Sequence, residues 1–348
     1  MTLATLQTIW FLLVTVLITG YALLDGFDLG IGNLHLFTKD DHERSAMFYT
    51  IGPFWDSNQV WLLTGGGAIF AAFPMVYATV FSGFYLALML LLFALIFRAV
   101  SIEFQHLLDT PRWKKVWDIG FSLGSILPSV LFGVAVGNIL RGIPLDAQHN
   151  FAGTFFGLLN PYAIVIGLVS LAMFTMHGAA FLIAKTDSPL SQKARGWGRN
   201  AWLAYIILFT IGTIWSYIST PRLFENFFHQ PLLFILPVMA LAGMLYYPVA
   251  LKKDARWQPF LASALNITGV MAIAAVSLFP YLVPANNNLA NSLTIYNASS
   301  SQLTLNVMLI LALIGMPLVI AYTGYIYRKF GGTTVTKPAS GSKFNLPG

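Results

Sequence analysis

Most of the groups able to do acid–base chemistry inside this chain fall in its first third. Asp25 and Asp28 stand three residues apart in LLDGFDLGIG, a spacing that puts both carboxylates on one face of a helix. Asp56 follows Pro53 and Trp55, and the amides Asn58 and Gln59 come directly after it. Arg98 lies in a long apolar run, with Glu103 five residues on. Carboxylates beside amides and a cation are the parts of a proton-handling site. In lipid they are also costly, at about 2.5–3.5 kcal/mol for an Asp or Arg at mid-span, which makes them functional candidates by default.

Each residue has a plainer reading. Asp25 and Asp28 could be hydrated at the interface, or one could cap a kink at Gly26. Asp56 fits a first-turn acid stabilised by the helix dipole after a proline. Arg98 could snorkel to the interface, or neutralise Asp25, Asp28 or Asp56 across a bundle. The run Gly65-Gly66-Gly67 is expensive within a helix and suggests close approach by a neighbour or a ligand. Among the histidines, His177 alone falls deep within an apolar run, and a lone histidine there is more often hydrogen-bonded than ligating. His35, His42, His106, His149 and His229 read as loop or boundary residues. No pair has metal-ligand spacing, and Met89, Met173 and Met176 read as packing. The sequence thus assigns no metal, redox centre or cofactor ligand to this chain.

The elements that must position these groups are membrane helices. Of 348 residues, 57% are hydrophobic and only 9% charged, against about 25% charged in soluble domains. Mean hydropathy is +0.72. There is no cysteine, so neither disulfides nor thiolate sites arise. A span needs about 20 mostly apolar residues. Nine segments qualify: 7–34, 54–76, 80–100, 117–140, 160–184, 200–219, 231–251, 257–281 and 304–327. The second and third are separated only by a tight turn around Pro74. The first reads as a retained helix rather than a cleaved signal.

The net charge of +6 is a topology signal rather than a nucleic-acid footprint. Sixteen of the nineteen Lys and Arg residues fall in alternate loops and the tail, against Arg141 and Arg222 opposite and Arg98 within a span. The positive-inside rule then puts the N-terminus outside and the C-terminus in the cytoplasm. Asp25, Asp28, Asp56, Arg98 and Glu103 gather at the cytoplasmic face. Residues 331–348, rich in Gly, Ser, Thr and Pro, read as a flexible cytoplasmic tail after a bundle over 1–330. Trp10, Trp113, Trp117, Trp197 and Trp202 sit near span ends, as interfacial aromatics do. Gly120/Gly124 and Gly133/Gly137 permit close helix contact. Asp25-Gly26 and His177-Gly178 at similar depth hint at two four-helix halves plus one extra helix.

Longer runs carry a resemblance. GYALLDGFDLGIG (20–32), PFWDSNQVWLLTGGGAIFAAFPMVYATVFSGFY (53–85) and FRAVSIEF (97–104) resemble subunit II of cytochrome bd-type quinol oxidases. So do GVAVGN (133–138), FPYLVP (279–284) and SSSQLTLNVM (299–308). The resemblance implies an all-α integral membrane protein of nine transmembrane helices, arranged as two four-helix bundles plus one extra helix. It implies a terminal oxidase complex in the bacterial inner membrane that oxidises quinol and reduces dioxygen to water, taking protons from the cytoplasm. Two b haems and one haem d would be ligated by the partner, subunit I, with a structural quinone in this chain and a small accessory subunit as further possibilities in such complexes. Asp56 matches the family's candidate proton-path acid, and Asp28 and Arg98 match positions regarded as important. One departure is the short outward loop around Arg222 to His229, where many relatives carry a longer one.

Two other functions fit the residues alone. One is a secondary transporter that couples protons or cations through Asp25, Asp28 and Asp56, with a broken helix at Gly65–Gly67. The other is a non-catalytic assembly scaffold.

Overall fold

The computed structural model describes residues 1–186, 189–253 and 255–332. Its helices are α1 (Leu3–Leu34), α2 (Asp41–Ile51), α3 (Trp55–Ala72), α4 (Pro74–Gly83), α5 (Tyr85–Phe104), α6 (Pro111–Arg141) and α7 (Phe155–Leu158). They continue as α8 (Pro161–Lys185), α9 (Leu190–Ser219), α10 (Glu225–His229), α11 (Ile235–Lys252), α12 (Gln258–Leu278) and α13 (Gln302–Lys329). Among the described residues, eight helices are long and apolar enough to cross a membrane, and α3 with α4 makes a ninth if that bent pair counts as one span. The expected tail lies outside the described residues from 333 onward.

The break between α3 and α4 corrects the tight turn expected around Pro74. Pro74 opens α4 at its first position, where its missing N–H costs nothing, and it cannot continue α3. The chain bends there by 120° and runs as a separate ten-residue helix before α5 begins at Tyr85. Helices α1, α6, α9 and α13 overrun the apolar segments, whereas α12 is shorter than its own. The start of α9 precedes the expected 200 because Leu190, Ala194, Gly198, Ala201 and Tyr205 form one buried stripe, leaving its basic residues on other faces.

The packing follows the expected halves. In the first, α1, α3, α5 and α6 pack together; in the second, α8 packs on α9 and α12, and α11 on α12. The halves meet where α1 and α6 lie against α8. A side chain on Gly30 would overlap the Phe174 carbonyl, and one on Gly178 would overlap the backbone at Gly30. The two backbones therefore touch at the molecule's centre, and only glycine permits it. Gly124 brings α6 onto α5 in the same way, since a Cβ there would stand 2.7 Å from the Ala94 carbonyl oxygen. Gly133 and Gly137 do so against α8. The glycine run behaves otherwise: Gly65 meets Ile18, while Gly66 and Gly67 face open space within a continuous α3. That removes the broken helix on which the transporter reading depended.

The C-terminal ends of α1, α5 and α8 share one end of the bundle with the basic loops, hereafter the basic end. At the opposite end, residues 142–160 and 279–301 interlock. Ile143 N–H donates to the Pro284 carbonyl, Asn287 and Asn291 donate to that of Leu145, and β1 (Tyr281–Val283) pairs antiparallel with β2 (Leu293–Thr294). Trp10 is buried against the last helix, and its indole N–H donates to the Leu305 carbonyl of α13.

Candidate functional site: a buried acid cluster

Helix periodicity decides which of the acids face inward. On α1, Asp25 and Asp28 share a face and are fully buried. The buried stripe of α5 is Ala94, Arg98, Ser101 and Ile102, mostly small or polar residues that leave room for a guanidinium. The buried stripe of α3 is Asn58, Trp61, Gly65, Ala68 and Ala72. Asp56 precedes Asn58 by two residues, roughly 200° around the helix, and is exposed on the surface of this chain. It remains an acid in the first turn of α3, as the dipole argument expects.

Arg98 forks onto Asp25. Its Nη1 donates to Asp25 Oδ2 at 2.9 Å and its Nη2 to Oδ1 at 2.6 Å, the bidentate geometry of a strong charge-assisted pair. Asp28 Oδ2 lies 3.8 Å from the same Nη2. Asn58 Nδ2 donates to Asp28 Oδ2 at 2.7 Å and to the Leu24 carbonyl at 2.9 Å, and Gln59 Nε2 donates to Asp25 Oδ2 at 3.2 Å. Asp28 Oδ1 and Arg98 Nε are buried without a hydrogen-bond partner. One guanidinium thus serves two buried carboxylates, and the second keeps an open oxygen.

Of the residues expected here, Asp25, Asp28, Arg98, Asn58 and Gln59 come together. Trp55 is half-buried against the adjoining core, while Asp56 and Glu103 stand on exposed faces outside the cluster. Arg98 does not snorkel; it is 1% exposed.

A second buried cluster has no counterpart among the residues expected from sequence. His35, expected at a boundary, is fully buried, and its Nε2 meets Asp118 Oδ1 at 2.7 Å. Arg44 Nη1 donates to Asp118 Oδ2 at 3.0 Å. Nearby, Glu43 accepts from Thr38 and pairs with Lys193 at 2.7 Å. The available signal was an acid inside the expected fourth span, since Asp118 falls within 117–140. These pairs tie α2 to α6 and α9, and the segment that follows α1 to α6.

His177 has both ring nitrogens engaged, Nδ1 with Ser263 Oγ at 2.7 Å and Nε2 with the Leu23 carbonyl at 3.0 Å. His149 Nδ1 meets the Asn291 carbonyl at 2.7 Å. Among the described residues no three metal-ligating side chains converge. Neither ring nitrogen of His177 is free for an axial metal position.

Fold and site together define a multi-pass helical membrane protein with a cluster of ionisable side chains buried at one end of its first bundle. The sequence signature described as cytochrome bd terminal oxidase subunit II matches residues 6–330. The chain is 39% identical to a probable cytochrome oxidase subunit 2 of Haemophilus influenzae and 36% identical to cytochrome bd-I ubiquinol oxidase subunit 2 of Escherichia coli K12, each match covering 94% of both chains. It is 34% identical to cytochrome bd ubiquinol oxidase subunit 2 of Bacillus subtilis, over 94% of this chain and 97% of that one. Among solved structures, the bd oxidase of Geobacillus thermodenitrificans shares the fold, with a TM-score of 0.78 at 16% identity over 94% of this chain and 98% of that one. The chain belongs to the cytochrome bd terminal oxidase subunit II family.

Proposed function

We propose that this chain docks a haem-bearing subunit I in a bacterial inner membrane and supplies that complex with protons from its basic end, the cytoplasmic side. The complex oxidises a quinol and reduces dioxygen to water. Two b haems and haem d belong to the partner. Subunit-2 relatives named as ubiquinol oxidase subunits, matched over 94% of the chain, support this reading.

The observation that carries the proton-handling part is the surplus carboxylate. With Asp25 held by both arms of Arg98, Asp28 keeps a buried oxygen with no partner. A proton arriving at that oxygen makes the Asp25–Arg98–Asp28 cluster neutral. When it leaves, one net negative charge remains, held by Arg98 at 3.8 Å and by the Asn58 amide. Shuttling one proton on a fixed cluster avoids moving bare charge through a low-dielectric interior. Asp56, exposed within a turn of Asn58, is the entrance, and Asn58 and Gln59 line the step inward. The scaffold-only reading predicts that these acids do not affect turnover once the complex forms.

The test is turnover per haem in the purified complex. Asp28→Asn and Asp56→Asn are expected to slow oxygen consumption by about tenfold and severalfold, respectively, less than the roughly 10²–10⁴ typical of a group that transfers the proton in the chemical step itself, with haem content unchanged. Normal turnover in both would leave only the scaffold. Loss of haem would make their role structural.

A further inference from the structure

We infer that Tyr327, on the last helix, is a positioning residue for Asp28. The inference rests on the proton-handling reading above and extends it to a residue that reading does not use.

An asparagine amide has one acceptor oxygen and two donor hydrogens on its nitrogen. At Asn58 all are engaged. Nδ2 donates to the Leu24 carbonyl at 2.9 Å and to Asp28 Oδ2 at 2.7 Å, and Oδ1 accepts from the Tyr327 hydroxyl at 3.1 Å. The Tyr327 bond turns the oxygen away from the acid and polarises the amide toward it, so that each bond strengthens the next. A chain of two hydrogen bonds therefore connects α13 to the carboxyl with the open oxygen.

The rest of α13 is built to hold that contact. Along its length only Leu305 and Leu309 are buried, both near the far end, where Trp10 also bonds the Leu305 carbonyl. At the basic end the Tyr327 ring packs on Phe54 at 4.6 Å between centroids and meets the edge of Phe27 at 6.4 Å. Beyond it, Lys185, 3% exposed, donates from Nζ to the Phe330 carbonyl and to that of Gly332 at 2.7 Å, while lying 5.3 Å over the Phe54 ring. An ammonium at the C-terminal carbonyls of a helix is the favourable pole for its dipole. The helix is thus pinned at both ends, and the inner pin fixes the tyrosine that orients Asn58.

Tyr327→Phe keeps the ring and its packing and removes one hydroxyl. In the assembled oxidase it is expected to lower turnover per haem roughly fivefold, the worth of one hydrogen bond, to change the pH–rate profile, and to leave haem content intact. Placed in the Asp28→Asn background, it is expected to add nothing. Normal turnover and an unchanged profile in Tyr327→Phe, with Asp28→Asn still slow, would overturn the positioning role and spare the proton path. An equal loss in the Asp28→Asn background would also overturn it, because the hydroxyl would then act elsewhere, as would loss of haem. Normal turnover in Asp28→Asn would remove the proton path itself and the inference with it.

Discussion

The two four-helix bundles are alike in size and unlike in chemistry. Helices α1, α3, α5 and α6 carry Asp25, Asp28, Asp56, Glu103 and Asp118, whereas α8, α9, α11 and α12 contain no carboxylate. Within the second bundle, helices are joined by hydrogen bonds that use no carboxylate: His177 to Ser263, Tyr247 to the Met176 carbonyl, Trp202 to that of Met244 and Asn266 to that of Ala240. Neutral bonds lock helices together without charge. The first bundle keeps charges that a purely structural core would not need, because apolar packing does as well or better than a buried ion pair. On the proposed reading, the chemistry sits in one half of the chain and the framework in the other.

The largest expected effect follows from breaking the charge balance of the first bundle. Arg98→Leu leaves Asp25 and Asp28 buried with no cation, and removing one partner of a buried pair costs about 3–5 kcal/mol. The variant should fail to yield assembled, haem-loaded complex after detergent extraction. Asp25→Leu combined with Arg98→Leu should recover much of that yield, because the surviving carboxyl keeps Asn58 and the uncompensated pair is gone. Normal assembly of the single variant would mean that the pair is not what holds the first bundle.

How much of this was legible depended on whether a residue's surroundings could be read along one helix. Spans came from apolar length, and the Asp25/Asp28 face came from a three-residue spacing. Asn58 and Gln59 were recognised by their company, but sequence spacing did not say that Asp56 turns outward. That follows from the stripe running from Asn58 to Ala72, which only the packing against α1 defines. Sequence leaves the partner of Arg98 open among three acids, because a cross-bundle distance has no local signature. The pairing of His35 with Asp118 has no local signature for the same reason, the two being 83 residues apart in the chain. The Gly65–Gly67 run divides: Gly65 is approached by Ile18 of α1, while Gly66 and Gly67 face outward from this chain, which spacing along one helix does not reveal.

In the second bundle the effect should be smaller and of another kind. His177→Leu removes two hydrogen bonds that join α8 to α12 and α1, at about 1–3 kcal/mol if a partner is left unsatisfied. Thermal stability of the complex should fall, while turnover per haem of the folded fraction stays normal. A fall in turnover at unchanged stability would place chemistry in the framework half and erase the contrast between the bundles.

The smallest effect probes the ion pair that ties the two halves at the basic end. Glu43, on α2, is 4% exposed, and Lys193, on α9, has a side chain 47% exposed. A pair this open to water is worth about 0.2–1 kcal/mol and weakens with salt. The two partners are not equivalent, however. Lys193→Met leaves a buried carboxylate supported by Thr38 alone, whereas Glu43→Gln leaves an exposed ammonium that water solvates. Lys193→Met should therefore lower thermal stability more than Glu43→Gln, and the gap should narrow as ionic strength rises. Equal losses in the two variants would show that the carboxylate is as well hydrated as the lysine, and that the halves are held by the glycine crossing at Gly30 and Gly178 without help from charge.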